Sequence, residues 1–149
     1  MHWELLSGGR FVAATGYDGR VWHATETACD PIGLETQPVI RGIVLHQASQ
    51  TFIAVFQYRR GDWHGFGYAT SADLMRWSVP RPLLQASLAA DAGPREGYGG
   101  YPSIIDGNSG DRNFGTVGET ARLVFVRFGP SGQRSFIRKL VSVPLRIDP

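Results

Sequence analysis

The sequence predicts an all-β fold of antiparallel strands, and three observations point to it. The composition is rich in turn residues and low in charge, with 19 Gly and 9 Pro in 149 residues and 19% charged side chains. Such a composition is typical of proteins built from many short strands. The stretch Thr51–Leu84 alternates strand and turn signals, and the earlier stretch Arg10–His23 repeats part of it.

The first half of this stretch predicts a hairpin. Thr51–Tyr58 is rich in apolar, aromatic and β-branched residues, as a buried strand should be. Arg59–Asp62 is charged and contains Gly, which indicates a turn. Trp63–Thr70 then returns as a second strand, and after Pro80 and Pro82 the pair Leu83-Leu84 is apolar again.

A repeat extends this pattern towards the N-terminus. Arg10–His23 aligns without gaps on Thr51–His64, at an offset of 41 residues. Units of about 40 to 45 residues, each with several short strands, are typical of β-propeller blades. The sequence therefore predicts propeller-type blades of antiparallel strands. The identities that carry the alignment are Phe11, Ala13, Tyr17, Trp22 and His23, which fall on Phe52, Ala54, Tyr58, Trp63 and His64.

A third, looser unit follows. Tyr101–Asp106, Arg122–Phe128 and Ser135–Arg146 are predicted strands, and the Gly-rich stretch Gly107–Glu119 is a predicted loop. We interpret the chain as one domain over residues 1–149, with approximate blades at 1–40, 41–90 and 91–149.

The turn after the second strand carries a family resemblance. In Ser71–Trp77, Asp73 can bond the backbone of its own turn while Trp77 folds back onto the core. The surrounding sequence YATSADLMRWS, Tyr68–Ser78, resembles the outer blade hairpin of β-propeller glycosidases of the arabinanase, xylosidase and invertase kind. It is also similar to the Asp-box turn of sialidases, without the Gly that follows the Asp there. The resemblance implies an architecture and a carbohydrate-related function.

The number of blades falls short of a ring. Propellers close with about four to eight blades, and this chain offers two to three. We expect a fragment that lacks N-terminal blades, a ring closed by several copies of the chain, or an open β-sheet assembly. In the family that the chain resembles, the catalytic base lies on the first blade, so its catalytic residues cannot be transferred to this sequence.

Composition also limits the classes of function. The net charge of +2 is not gathered into a run, which argues against nucleic-acid binding. There is no apolar stretch of membrane length and no secretory signal pattern, so we expect no membrane association and a cytoplasmic location by default. Cys29 stands alone, and the His residues lack metal-ligand spacing. We therefore predict no cofactor, and the resemblance leaves an axial Ca²⁺ open.

The candidate binding site lies around the predicted innermost strands. The loop Asp91–Gly100 precedes one of them, and aromatic, Arg and Glu side chains suit sugar rings and hydroxyl groups. Arg41 and His46 flank the other inner strand, Gly42–Gln47, and His46 alternates with Val44 so that it can face a cavity. The predicted substrate-binding residues are Arg95, Tyr98, Tyr101, Arg41 and His46.

Glu96 is the candidate catalytic residue, in the role of the acid. Glycoside hydrolysis normally needs two facing carboxylates. Asp106 lies at the far end of its strand and is better explained as structural, and no second carboxylate stands out. Two functions thus remain open: a glycoside hydrolase-like protein that acts on or binds carbohydrate, and a non-catalytic carbohydrate-binding or structural module.

Overall fold

The prediction of an all-β fold is confirmed. The computed structural model describes residues 2–6, 10–17, 22–28, 40–87, 98–129 and 138–148, with side chains at 42–87, 99–129 and 138–148. These ranges contain no helix and eleven strands. The strands are β1 (His2–Leu6), β2 (Arg10–Tyr17), β3 (Trp22–Ala28), β4 (Ile40–His46), β5 (Thr51–Arg60), β6 (Trp63–Ser71), β7 (Arg81–Gln85), β8 (Tyr98–Ile105), β9 (Thr116–Val117), β10 (Thr120–Phe128) and β11 (Arg138–Arg146).

The strands form three sheets that follow the chain order closely. The first sheet has the order β1-β2-β3, the second β7-β6-β5-β4-β9, and the third β11-β10-β8. All neighbouring strands pair antiparallel except β4 and β9, which pair parallel through Leu45 with Thr116 and His46 with Val117. The predicted loop Gly107–Glu119 thus contains one short strand, β9, which belongs to the second sheet although it comes from the last third of the chain.

The β5–β6 hairpin forms as predicted, with longer strands. β5 continues to Arg60, which pairs with Trp63 across a two-residue turn of Gly61 and Asp62. Gly61 has a φ of 56°, a left-handed conformation that glycine adopts without a steric penalty. The charged residues Arg59 and Arg60 therefore lie at the exposed tip of the hairpin rather than in a four-residue loop.

The repeat corresponds to matching strands, with a different register. β2 begins at Arg10 and β5 at Thr51, so the strand starts keep the offset of the alignment. Tyr17 pairs with Trp22 in the first hairpin, whereas in the second hairpin Trp63 pairs with Arg60. The β2–β3 pairing also contains two register shifts. Similar sequences therefore form similar elements, while the turn decides the pairing.

The turn after β6 is held by its own side chains, as the sequence predicts. The Asp73 carboxylate accepts hydrogen bonds from the backbone N–H groups of Met75 and Arg76, both at 2.8 Å. The Ser71 hydroxyl accepts one from Leu74 N–H at 2.8 Å. Trp77 then packs against the second sheet, and Leu74 is buried although its φ is 65°. The conformation is fixed by local bonds that the sequence spacing supplies.

The second sheet is buried on both faces. On one face Val55 of β5 and Phe66 of β6 pack against Leu123 and Phe125 of the third sheet, and the Phe66 and Phe125 ring centroids are 4.9 Å apart. On the other face Phe56, Tyr58, Ala54 and Ala69 form a separate cluster with Ile43, Trp63 and Trp77. Each fully buried Phe contributes roughly 1.5–3 kcal/mol through burial. The second sheet is therefore a middle layer, and its neighbour on one side is the third sheet.

Two glycines allow the second and third sheets to approach closely. A Cβ atom at Gly99 in β8 would lie 2.9 Å from the Phe66 ring, so no larger residue fits there without a shift. A Cβ atom at Gly42 in β4 would lie 3.8 Å from Ser103 Cα. β4 and β8, the two predicted inner strands, are thus close neighbours.

Candidate functional site

The structure describes four of the six predicted site residues. Arg95 and Glu96 lie outside the described residues. Arg41 lies in β4 and Tyr98 begins β8, and for these two the strand positions are described. Tyr101 and His46 are described with their side chains.

The beginnings of β4 and β8 lie at the same end of the molecule. Gly42 is next to Ser103, and a Cβ atom at Gly100 would lie 3.7 Å from Gln57 Nε2. Gln57 follows Phe56, which pairs with Ile40 at the start of β4. Gly100 therefore lies near the start of β4 and Ser103 lies further along it, so β4 and β8 run in the same direction. Arg41 and Tyr101 are therefore one and two residues from the closest approach of the two strands. The structure brings these two predicted positions together, and it places His46 at the other end of β4.

Both strands are irregular at these positions. The β4–β5 register shifts between Ile40 and Gly42, which places Arg41 in a bulge. The β8–β10 register shifts between Val124 and Val126, opposite Tyr101 and Pro102. Bulges redirect side chains and are over-represented next to active sites. The irregularities therefore coincide with the end of the sheet at which the sequence predicts a ligand.

Tyr101 is an exposed aromatic residue in an unusual backbone conformation. Its φ is 56° and its side chain is 53% exposed, although its neighbours Gly100 and Pro102 are buried. Its ring centroid lies 5.9 Å from that of Phe128, at an interplanar angle of 55°. The guanidinium carbon of Arg138 lies 5.6 Å from the centre of the same Phe128 ring. We call Tyr101, Phe128 and Arg138 the Tyr101 platform.

The platform combines an apolar surface with polar groups at its edges. Phe128 is 8% exposed and its ring contacts that of Tyr101, while Arg138 is exposed and places its guanidinium over the Phe128 ring. An amphipathic aromatic ring can contact the apolar face of a ligand ring, and a phenol and a guanidinium can bond its hydroxyl groups. Phe128 and Arg138 were not among the predicted site residues. Phe128 pairs with Tyr98 of β8 on one side and with Arg138 of β11 on the other, and this strand register places both residues in the platform.

His46 is buried at the opposite end of β4. Its side chain is 1% exposed, and its Nδ1 lies 2.8 Å from the Ser49 hydroxyl. Its Nε2 has no hydrogen-bond partner among the described residues. His46 also forms part of the wall of a cavity. That cavity is separate from the Tyr101 platform.

Asp106 has the structural role that its position predicts. It is 7% exposed, and its carboxylate accepts hydrogen bonds from Asn108 N–H at 2.8 Å and Gly118 N–H at 2.9 Å. These two backbone bonds lower the pKa of Asp106 below its ordinary value of 3.8. The Gly118 bond spans the loop between β8 and β10 and ties the end of β9 to the end of β8.

Comparisons with known proteins do not assign a family. A scan against models of protein families gives no match, and a search of curated proteins finds no significantly similar sequence. Within the described ranges, no three His, Cys, Asp or Glu residues are grouped closely enough to hold a metal ion. No helix of a length and apolarity suited to crossing a membrane occurs in the same ranges.

Proposed function

We propose that the chain is a β-propeller-type protein that binds carbohydrate at the Tyr101 platform. One observation carries the proposal: Tyr101 is exposed, lies in left-handed backbone, and is supported by a second aromatic ring. Backbone strain in a non-glycine residue is typical of ligand-binding and active sites, where the surrounding structure holds it in place. The position was predicted from the loop that precedes the inner strand, independently of its geometry.

The architecture of the proposal is supported by the order of the strands. Each of the three sheets is built around antiparallel neighbours that are mostly consecutive in sequence, as in a propeller blade. The two predicted inner strands, β4 and β8, lie beside each other. Three sheets do not close a ring, so we propose that further blades or further copies of the chain complete it.

The oligomeric part of the proposal is tested by light scattering on a sizing column. A mass of two or three times 16.4 kDa supports closure by copies of the chain. A mass of 16.4 kDa contradicts that closure and leaves only blades from outside this sequence.

The carbohydrate part rests on the chemistry of the platform. A sugar ring presents an apolar face and a rim of hydroxyl groups, which match an exposed aromatic ring with a phenol and a guanidinium nearby. The resemblance of Tyr68–Ser78 to the blade hairpins of propeller glycosidases points to the same class of ligand. Binding needs only the platform, whereas hydrolysis needs two carboxylates.

Glycoside hydrolysis is the second candidate function, with Glu96 as the acid. In the sequence, Glu96 precedes the first residue of β8 by two positions. Asp106 is committed to two backbone hydrogen bonds and is not a suitable partner carboxylate. A complete pair would require a carboxylate from another blade or another copy.

The substitution Glu96→Gln separates the two functions. Turnover is measured on aryl glycosides, and binding is measured on arabinan, xylan, fructan and sialylated oligosaccharides. If Glu96 is the acid, the variant loses turnover and keeps binding, because the amide cannot donate a proton. Glu119→Gln, at an exposed loop position, is the matched control and should change neither property. Absence of turnover in the unmodified protein rejects hydrolysis and leaves the binding proposal to the Tyr101 variants.

A further inference from the structure

A second candidate site lies at the end of the molecule opposite the Tyr101 platform. It is a cavity of about 420 Å³ between the second and third sheets, and we call it the His46 cavity. Its wall is formed by residues from β4 to β8, from the β6–β7 turn, and from the end of β11.

One part of the lining is aliphatic. Ile53 and Ile104 belong to the main core and are buried, and Leu83, Leu145 and Ile147 pack against the same core while remaining partly exposed. Because these side chains face the cavity, the cavity offers a ligand an apolar surface continuous with the core. A fully hydroxylated ligand would give up hydrogen bonds to water against that apolar surface and gain none there, whereas a hydrocarbon segment would cover the surface and exclude water from it.

The other part of the lining is cationic. Arg81 is exposed and has no ion-pair partner among the described residues. The Arg146 side chain is 80% exposed and alternates with the core-facing Leu145, so it lies on the outer face of the third sheet, where it bonds Asp148 at 3.0 Å. Arg81 therefore supplies the positive charge of this part of the lining, and because it pairs with Tyr68 across β6 and β7, the two side chains lie on the same face. Guanidinium groups bind carboxylates in a planar, often bidentate geometry.

The hydroxyl groups of the lining differ in whether they already have hydrogen-bond partners. Thr70 and Ser78 bond each other at 3.2 Å, and Ser49 lies 2.8 Å from His46 Nδ1. The Tyr68 hydroxyl has no partner among the described residues and can donate to a bound anion.

His46 provides a separate indication that this end of the molecule is functional. Its ring is almost completely buried, and its Nε2 has no partner in the described part of the chain. Buried polar atoms nearly always find partners, because leaving one unpaired costs free energy. An unpaired buried nitrogen in the wall of a cavity is therefore unusual for a surface that serves packing alone.

We propose that the His46 cavity binds a small organic carboxylate with an aliphatic body. The carboxylate contacts Arg81 and the Tyr68 hydroxyl, and the hydrocarbon lies over the aliphatic part of the lining. The proposal does not depend on carbohydrate binding, since the Tyr101 platform lies at the other end of β4.

Octanoate is the probe, measured by isothermal titration calorimetry against the full chain. We expect saturable binding of one octanoate per chain. Acetate has the charge without the body, 1-octanol has the body without the charge, and inorganic phosphate is an anion without either carbon group. Each should bind at least about tenfold more weakly than octanoate, since each loses either the apolar contact or the charged hydrogen bonds.

The variant Arg81→Ala should weaken octanoate binding by at least about tenfold. Arg112→Ala is the matched control, because Arg112 is exposed and lies outside the cavity lining. Tyr101→Ala should also leave octanoate binding unchanged, which separates this proposal from the carbohydrate site. Thermal unfolding midpoints equal to that of the unmodified protein show that the variants fold.

Three outcomes would overturn the proposal. The first is the absence of saturable octanoate binding, which would show that the cavity is not a site for it. The second is octanoate binding by Arg81→Ala as tight as that by the unmodified protein, which would show that Arg81 does not hold the carboxylate. The third is binding of 1-octanol or phosphate as tight as that of octanoate, which would show that the ligand class is not a carboxylate with an aliphatic body.

Discussion

Tyr101 and Phe114 form a natural comparison within the third of the chain that follows residue 97. Both are exposed aromatic residues, at 53% and 49% exposure, and both have left-handed backbone, with φ values of 56° and 52°. The surroundings that hold these conformations differ. Tyr101 lies within β8, whereas Phe114 lies in the loop between β8 and β10.

The conformation of Phe114 has a local cause. Phe114 N–H donates to the Asp111 carbonyl oxygen at 3.1 Å, and the Asp111 carboxylate accepts from Asn113 N–H and Gly115 N–H, both at 2.9 Å. A turn held by an Asp side chain often includes a left-handed residue, whatever its side chain. The exposure of Phe114 therefore needs no ligand to explain it.

The conformation of Tyr101 has a cause in the tertiary structure. It lies opposite the register shift between Val124 and Val126, between two buried neighbours, with its ring against Phe128. The contacts that hold it come from another strand rather than from its own turn. Exposure and an unusual φ alone therefore do not indicate a site, and Tyr101 differs from Phe114 in its contact with Phe128 of β10.

The largest effect on stability is expected from Asp106→Ala, which releases the loop that carries Phe114. The substitution leaves the N–H groups of Asn108 and Gly118 without their acceptor. We expect the free energy of unfolding to fall by about 2 kcal/mol, measured by urea denaturation. Asp111→Ala is the control, and it should cost about 1 kcal/mol or less because the groups that it releases are closer to water. Equal losses in the two variants would contradict the anchoring role of Asp106.

Glycine substitutions should separate the two aromatic residues by the sign of the effect. Phe114→Gly relieves a left-handed conformation that costs an L-residue roughly 1–2 kcal/mol, partly offset by the greater entropy of the unfolded chain. We expect a gain of about 0.5 kcal/mol in the free energy of unfolding. Tyr101→Gly gains the same relief but loses the contact with Phe128 and should lower stability by about 1 kcal/mol. Urea denaturation measures both, and changes of the same sign and size would show that the two positions are equivalent.

The smallest effect is expected from pH. Backbone hydrogen bonds lower the pKa of Asp106, and also that of Asp73, below the ordinary value of 3.8. A carboxyl group with a lowered folded-state pKa stabilises the fold fully above its unfolded-state value, and this contribution is lost as the pH falls through the folded-state pKa. The loss of stability between about pH 6 and about pH 3 should therefore be smaller in Asp106→Asn than in the unmodified protein. An identical pH dependence in the two proteins would contradict this assignment.

Local features of the fold could be predicted from the sequence. The β5–β6 hairpin and the Ser71–Trp77 turn follow from strand propensity, from a glycine in the turn, and from hydrogen bonds that span two or three residues. The structural role of Asp106 follows from its position at the end of a strand. In each case the groups that interact are close in sequence, so their spacing can be recognised.

Features that join distant residues could not be predicted. The pairing of β9 with β4 and the contact of Phe128 with Tyr101 both depend on how strands from different parts of the chain come together. The same holds for the His46 cavity, whose Arg81 and Leu145 lie in β7 and β11. The sequence indicates Tyr101 and His46 as individual candidates, and only the structure shows that Tyr101 in β8 lies near the start of β4 whereas His46 lies at its end.

The measurement that tests the central proposal most directly is binding to an oligosaccharide array by the unmodified protein, Tyr101→Ala and Phe114→Ala. The two variants remove equally exposed aromatic rings from similar backbone, and the array carries arabinan, xylan, fructan and sialylated oligosaccharides. We predict that the unmodified protein and Phe114→Ala bind the same oligosaccharides, and that Tyr101→Ala binds them at least about tenfold more weakly. No binding by the unmodified protein, or an equal loss in both variants, would contradict a carbohydrate site at Tyr101.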